Sequence, residues 1–411
     1  MELRKKKIQG KPRLLIVLNR FVIGGQAVDT LPLAYFLNGD FQILILYGEK
    51  EKDEVEPEFL LKKYPGLQQK KIDHLRRSLN PLNDIIAFAR LVYIIVRFKP
   101  QIVHTHGAKS GFLGRFSAWV CNVPVIVHTF HGHFFHSYFS KKVSRFVEVI
   151  ERQTAKITTA AVALSIAQEK ELVEEYKILP ASKVAIIPLG FDYEIKDRNS
   201  YRDTFRNKYG LQKNDIAIGI IGRIVPIKNH LFFIRVIKNI LLTRVSSRAA
   251  FFIIGDGYLR RHIEDALIKE GILFSDEKVT PENRVIFTSW ITNMYEVMNG
   301  LDIVTLTSLN EGTPLSIIEA QFFKRPVVST NVGGVKDTME DARTGFLIQK
   351  DDVESFCEKV TLLITNEDLR VKMGEEGHKL VVERFSKKKE VEKTKEFYFS
   401  LLRQKGFYLL F

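Results

Sequence analysis

Short apolar runs alternate with longer segments of helical period along most of the chain. Residues 14–18, Leu-Leu-Ile-Val-Leu, predict a strand, followed by a loop over 19–25 and a helix to about residue 38. A second strand is predicted at 41–47, and Pro81 opens a long helix. Strands at 101–104, 123–128, 160–164 and 184–188 then alternate with helices at 111–120 and 143–155. Strands this short and this apolar, spaced by helices, predict a parallel sheet covered on both faces. Residues 188–206 break the rhythm. They hold Pro188, Gly190 and a polar run with no helical period, and read as a linker. The rhythm restarts with strands at 216–221, 250–254, 285–288, 303–306 and 327–329 and helices at 231–242 and 259–269. The tail, 387–411, reads as a basic helix carrying Tyr398, Leu401 and Leu402. The fold class is α/β, two parallel-sheet domains, with a ligand crevice expected at the carboxyl ends of the strands.

Length agrees with this division, because 411 residues exceed one core and suit two. Apolar content of 45% with 27% charged residues is ordinary for a globular protein. Cys121 and Cys357 are the two cysteines; they exclude a disulfide framework, read as small buried hydrophobes, and fit a reducing cytosolic compartment. The charged start and an apolar run of about five residues do not read as a signal peptide. Asp84, Arg90 and Arg97 interrupt the apolar stretch 82–98, so it reads as a buried or surface helix and not as a span of about 20 apolar residues.

Charge adds one thing. The net charge is +14, and from Phe59 to Val147 there are 14 basic residues against two acids, Asp73 and Asp84. Phe88, Tyr93, Phe98, Phe112, Phe116, Trp119 and a Phe/Tyr cluster at 134–139 interleave with them. That mixture suits contact with an anionic membrane surface, or a solvated basic face over core aromatics. No recognition-helix, zinc or RNP pattern supports a nucleic-acid partner.

Residues 308–320, S-L-N-E-G-T-P-L-S-I-I-E-A, are the strongest candidate site. Thr313 is expected as N-cap and Pro314 as the first helical residue, leaving free N–H groups for an electronegative ligand. Glu319 lies on an apolar stripe beside Leu315, Phe322 and Phe323, where a lone carboxylate is costly. Helical side chains lean toward the N-terminus, so Glu319 can reach the same crevice as Glu311. The two acids would hold two hydroxyl-rich parts of one ligand; otherwise Glu319 pairs internally with a Lys or Arg and Glu311 is solvated loop. In G-R-I-V-P-I-K-N-H, residues 222–230, Arg223 and Lys228 at a strand end suit a diphosphate, although ordinary surface charge yields the same spacing. Gly24-Gly25, Gly255-Asp256-Gly257 and Gly333-Gly334 sit at equivalent strand ends and permit close backbone approach, or simply tight turns. His104, His106, His128, His131, His133 and His136 cluster in sequence but lack the helical spacing and acidic ligand of zinc motifs, so no metal is assigned. A turn at His131-Gly132 aims an imidazole at the crevice instead.

Together these pieces resemble glycosyltransferase family 4, the retaining GT-B family of sugar-nucleotide transferases. The matching segments are Gly24-Gly25, H-T-H-G-A-K-S-G-F-L-G-R at 104–115, H-T-F-H-G-H at 128–133 and G-R-x-x-x-x-K at 222–228. G-D-G-Y-L at 255–259, the element from Glu311 to Glu319, V-G-G at 332–334 and T-G-F-L-I at 344–348 follow in order. The resemblance implies two Rossmann-like domains facing a central crevice. Residues 1–195 would bind the acceptor, residues 205–385 the donor, and the helix over 386–411 would cross back to the N-terminal domain. It implies catalytic roles for His131, Arg223, Lys228 and Glu311. Donor contacts would come from Gly24, Gly25, Arg223, Lys228, Gly257, Glu311, Gly312, Thr313, Leu315 and Glu319, with Glu319 on the ribose. No metal and no cofactor are implied, since Arg and Lys neutralise the departing diphosphate.

The implied reaction moves a hexose or N-acetylhexosamine, with retention, from a nucleoside-diphosphate sugar, UDP-linked, to a polysaccharide or lipid-linked glycan. The setting would be bacterial surface-glycan synthesis such as O-antigen or lipopolysaccharide, in the cytoplasm or peripheral at the inner face of the plasma membrane. A sugar-nucleotide epimerase on the same fold and a non-catalytic sugar-nucleotide binder are the alternatives. The sequence departs from the family pattern at Lys324 and Ser289, where glycine is usual, and at Asp337, where glutamate is more common.

Overall fold

The computed structural model describes residues 6–22, 25–51, 54–76, 78, 80–131, 141–194 and 198–410, with backbone alone at 141–144, 146, 409 and 410. The chain divides into two compact units, Met1–Asp192 with Phe385–Phe411, and Tyr193–Arg384.

The first unit runs β1 (Lys6–Gln9), β2 (Arg13–Leu18), α1 (Gly25–Leu37), β3 (Gln42–Tyr47), α2 (Glu58–Lys63), β4 (Gln68–Lys71) and α3 (Pro81–Phe98). It continues with β5 (Ile102–His106), α4 (Ala108–Val120), β6 (Val125–Thr129), α5 (Lys141–Ile157), β7 (Ala160–Ala163), α6 (Ile166–Lys170) and β8 (Val184–Ile186). Seven strands form one parallel sheet in the order β4-β3-β2-β5-β6-β7-β8. Leu14 to Leu18 on β2 are all buried, as a central strand covered on both faces requires. The sheet explains two boundary shifts: β5 extends to His106 because it pairs with β6 as far as Thr129. Gly107, at φ +85°, then lets α4 begin three residues before the predicted start.

The second unit runs α7 (Arg198–Lys208), β9 (Ile216–Ile221), α8 (His230–Leu241), β10 (Ala249–Ile254), α9 (Arg260–Lys269), β11 (Phe274–Ser275), β12 (Val285–Ser289) and α10 (Met294–Gly300). Then come β13 (Ile303–Leu306), α11 (Leu315–Phe322), β14 (Val327–Thr330), β15 (Gly345–Ile348), α12 (Val353–Thr365) and α13 (Glu367–Arg384). Its parallel sheet has the order β11-β12-β10-β9-β13-β14-β15. Helix α7 corrects the linker reading of 188–206. Its sequence is too polar to show a core-facing period, and distant contacts hold it. Arg202 Nη2 lies 2.7 Å and Arg206 Nη1 3.3 Å from the two oxygens of Asp302, and Phe205 is fully buried against Gly300.

After Arg384 the chain returns to the first unit as α14 (Lys387–Gln404) and β16 (Phe407–Leu410). The helical reading of the whole tail is therefore corrected at its end. Gly406, at φ +78°, turns the chain and β16 pairs in parallel with β1. Lys387 is buried with Nζ 3.2 Å from Asp29 and 2.5 Å from Glu390, whose carboxylate also accepts from the Gly190 amide at 2.8 Å. A side chain at Gly190 would lie 2.6 Å from the Lys387 Cα, so only glycine admits this approach.

Both cysteines are half-buried free thiols. No helix among the described residues is long and apolar enough to cross a membrane. The deepest charge in the first unit is Arg115, fully buried, with Nη2 2.7 Å from Glu151 and Nε 2.8 Å from the Gly111 carbonyl. Removing one partner strands the other charge, so Glu151→Ala should lower the unfolding free energy by about 3–5 kcal/mol in urea titration. A loss below about 1 kcal/mol would show the pair to be dispensable.

Candidate active site

In the second unit β10, β9, β13 and β14 are neighbours, so the turns leaving them gather at one edge of the sheet. The β9 strand ends at Gly222, at φ +143°, and the chain passes Arg223 to a single 3₁₀ turn, Pro226–Lys228. Lys228 folds back over Gly222, where a Cβ would sit 3.5 Å from the lysine Cε. Its Nζ lies 2.6 Å from Glu311 Oε1, and the Ser308 hydroxyl donates to the same oxygen at 2.5 Å.

Backbone bonds clamp the turns that carry these groups. Leu309 N donates to the Ile227 carbonyl at 2.8 Å, Gly334 N to that of Glu311 at 2.9 Å, and Thr330 Oγ1 to that of Ser308 at 2.7 Å. Arg223 is exposed, and among the described residues its guanidinium has no hydrogen-bond or ion-pair partner. One fixed lysine–carboxylate pair beside one open guanidinium leaves net positive charge at a strand end, which suits a polyanion.

The glycines have local reasons of their own. A Cβ at Gly255 would meet the Gly222 carbonyl oxygen at 2.1 Å, and one at Gly257 the Ile224 carbonyl oxygen at 2.4 Å. The turn after β10 thus packs directly on the turn that carries Arg223. Gly25 opens α1 in the first unit, and Gly24 lies outside the described residues.

The expected helix start moves by one residue. Pro314 is the N-cap of α11, with extended backbone and no side-chain cap, and Leu315 is the first helical residue. Thr313 Oγ1, expected to cap, is buried without a partner. Gly312, Thr313 and Leu315 are half-buried, and the first N–H groups of α11 have no intrahelical acceptor. Further along, Glu319 is buried and accepts a hydrogen bond from the Tyr193 hydroxyl at 2.6 Å. Its partner is thus a phenol where the internal-pairing alternative supposed a Lys or Arg. Burial pushes its carboxyl up to about 7, and the Tyr193 bond only partly offsets this.

Both positions where the family's glycine is missing adopt positive φ, Ser289 at +52° and Lys324 at +61°. Ser289 is held there by bonds from Arg260 at 2.7 Å and to Asp256 at 3.2 Å, and Lys324 by an ion pair with Glu375 at 2.9 Å.

In the first unit the histidines separate by strand alternation. His104 and His106 share one face of β5, ring centroids 4.2 Å apart, while His128 points to the other face and bonds Thr105 at 2.8 Å. His106 Nδ1 lies 2.7 Å from His131 Nε2, and His104 bridges the Tyr398 hydroxyl at 2.5 Å and Thr129 at 2.7 Å. Burial holds His104 down to about 3 and keeps His106 and His128 well below the ordinary imidazole range; it lowers His131 too, against the pull of Asp29. This is a neutral hydrogen-bonded network. Among the described residues no three His, Cys, Asp or Glu side chains converge as metal ligands. His133, His136 and the cluster at 134–139 lie outside the described residues.

Sequence reasoning missed Tyr193 and His106 as partners of Glu319 and His131. Tyr193 sits 126 positions before its carboxylate in a stretch without period, so no local signal marks it. His106 was visible as the i+2 neighbour of His104 on a strand.

Comparison with known proteins places this geometry. Residues 23–195 match the model for Glycosyltransferase Family 4, and residues 215–366 that for Glycosyl transferases group 1. Similar in sequence is the Escherichia coli UDP-Gal:alpha-D-GlcNAc-diphosphoundecaprenol alpha-1,3-galactosyltransferase, 29% identical over 332 residues, covering 80% of this chain and 83% of that protein. The Staphylococcus aureus capsular polysaccharide biosynthesis glycosyltransferase CapM is 23% identical over 342 residues, 80% of this chain and 84% of that one. Anabaena HepE, solved in complex with UDP and glucose, superposes with a TM-score of 0.77 at 16% identity, covering 95% of this chain and all of that one. The two family models match one stretch in each parallel-sheet unit, and this chain is a glycosyltransferase with a Glycosyltransferase Family 4 region followed by a Glycosyl transferases group 1 region.

Proposed function

We propose that the enzyme moves a hexose or N-acetylhexosamine from a UDP-sugar to a polysaccharide or lipid-linked glycan in cell-surface glycan synthesis, with retention at the anomeric carbon. The observation that carries this is the Lys228–Glu311 pair at the same sheet edge as Arg223, whose guanidinium has no partner among the described residues. The second unit is the donor domain and the first the acceptor domain. Arg223 and Lys228 hold the diphosphate and stabilise the charge that grows as it departs. A carboxylate has about four acceptor positions. Glu311 therefore keeps capacity for sugar hydroxyls while bound to Lys228 and Ser308. The start of α11, at Gly312, Thr313 and Leu315, adds donors. Glu319 takes the ribose hydroxyls, and Gly24, Gly25, Gly257 and His131 serve the same donor. The bond from the anomeric carbon to phosphate oxygen breaks, the acceptor oxygen bonds the same face of that carbon, and its proton passes to the departing phosphate. No metal ion and no cofactor enter this scheme.

The name of the E. coli relative specifies UDP-galactose and a diphosphoundecaprenol-linked GlcNAc, which supports a UDP donor and a lipid-linked acceptor here. Such an acceptor sits in a membrane, so the enzyme would work in the cytoplasm with peripheral contact to the anionic inner face. Purified enzyme with UDP-sugars, EDTA and lipid extract should release UDP only when acceptor is present, and Arg223→Ala should lower kcat by about 100- to 1,000-fold. Turnover with no donor in a panel, or UDP-sugar epimerisation without acceptor, would overturn transfer.

A pH dependence follows from Glu319. Ribose hydroxyls donate to the carboxylate form, so donor binding favours ionisation of a group titrating at about 7. The donor KM should therefore fall as pH rises from 6 to 8, by up to about tenfold per unit on the acid limb. Glu319→Gln should flatten that limb, and Tyr193→Phe, which removes a bond favouring the carboxylate, should move it to higher pH. A KM flat with pH in the wild type would contradict the role.

A further inference from the structure

Helix α3 carries two apolar faces where an ordinary surface helix carries one. Ala87, Leu91, Ile94 and Ile95 are buried against the sheet. Leu82, Ile85, Ile86, Tyr93 and Val96 are exposed, Leu82 by 74% and Tyr93 by 56%. At about 100° per residue these five fall within an arc of about 100°, so they make one stripe on the outer side of the helix. The neighbouring α4 does the same with Phe112, Phe116 and Trp119, which stack ring on ring at centroid distances of 6.2 and 5.7 Å, Trp119 being 51% exposed. Phe88 on α3 lies 5.5 Å from Phe116 and joins the two stripes. Soluble proteins rarely leave a contiguous apolar area of this kind uncovered.

Charge says what covers it. From Gln68 to Asn122 there are nine basic residues and two acids, and of the nine Arg76 pairs with Glu49 and the buried Arg115 with Glu151. Both acids are already matched, Asp73 by Arg90 and Asp84 by Lys109. Arg97 flanks the stripe with its guanidinium 5.2 Å from the Tyr93 ring, and Lys99 is exposed nearby in sequence. A second copy docking by two-fold symmetry would set this basic rim against itself. An anionic bilayer accepts both halves, apolar side chains in the acyl boundary and cations among the headgroups.

We infer that the outer faces of α3 and α4 form the surface by which the enzyme sits on an anionic membrane, with Trp119 and Phe116 entering at headgroup depth. The inference rests on the membrane-acceptor reading and assigns that contact to particular side chains.

The test uses the full chain carrying Trp290→Phe, so that Trp119 is the remaining indole, and vesicles of phosphatidylglycerol and phosphatidylcholine with or without brominated acyl chains. Flotation with the anionic vesicles that weakens with salt, together with quenching of Trp119 by the brominated lipid, is the expected result. Leu82→Ser, Tyr93→Ser and Phe116→Ser combined should cut vesicle affinity at least tenfold without changing the thermal midpoint. Flotation without quenching, or an unchanged triple variant, would overturn this face while leaving the membrane reading in place. Absence of flotation at low salt would overturn both. A dimer in light scattering that the triple variant dissociates would assign the face to a second copy and overturn the proposal. Loss of acceptor-dependent UDP release alongside normal flotation would count against the transferase reading alone.

Discussion

Parallel pairing is the constraint on which the molecule rests. Every ladder in both seven-stranded sheets runs parallel, so each strand must be followed by a crossover that buries one sheet face and returns to the same starting edge. The turns leaving the strands then collect at the other edge whatever their sequence. In the second unit that edge holds Arg223 after β9, Gly255 and Gly257 after β10, Glu311 after β13 and Gly334 after β14. Residues as far as 83 positions apart become neighbours because four strands sit side by side. Lys228 and Glu311 meet at 2.6 Å on this account alone.

The turns differ in what they contribute. Glycines at 222, 255 and 257 let one backbone lie against another, and that packing fixes the start of the Arg223 segment. Charges then follow from positions the backbone has set. Glu311 is matched by a lysine, Glu319 only by a phenol, and the guanidinium of Arg223 by nothing among the described residues. The imbalance is local: a titrating buried acid and an open cation, both in the second unit. The imidazoles of the first unit are the opposite case: His106 bonds His131, His104 bonds Tyr398 and Thr129, and burial lowers all three toward the neutral form.

How far the sequence spoke depended on where each signal lay. Strands such as 14–18 and 216–221 were legible because burial on both faces makes them uniformly apolar over a short length. The residues 222–230 and 308–320 were legible because a strand end followed by a helix is a local pattern. Helix α7 was not. Its stabilising partner Asp302 lies nearly a hundred residues on, and a polar helix held by distant ion pairs has no period to read. The strand β16 was hidden for the same reason, since its partner β1 is at the other end of the chain. At α11 the pattern of a threonine before a proline pointed to a cap that the backbone did not adopt. The stripe on α3 was present in the sequence as apolar residues, yet only the exposure of Leu82 and Tyr93 separates it from core.

The claim at the centre of this account is that the sheet edge carrying Arg223, Lys228 and Glu311 binds a nucleoside diphosphate without metal. Titration calorimetry of UDP against the full chain in EDTA tests it directly, with Lys228→Met as the comparison. The account predicts saturable binding by the wild type and a loss of affinity of at least about tenfold in the variant. Equal affinity in the two proteins, or binding that appears only when a divalent cation is added, would contradict it.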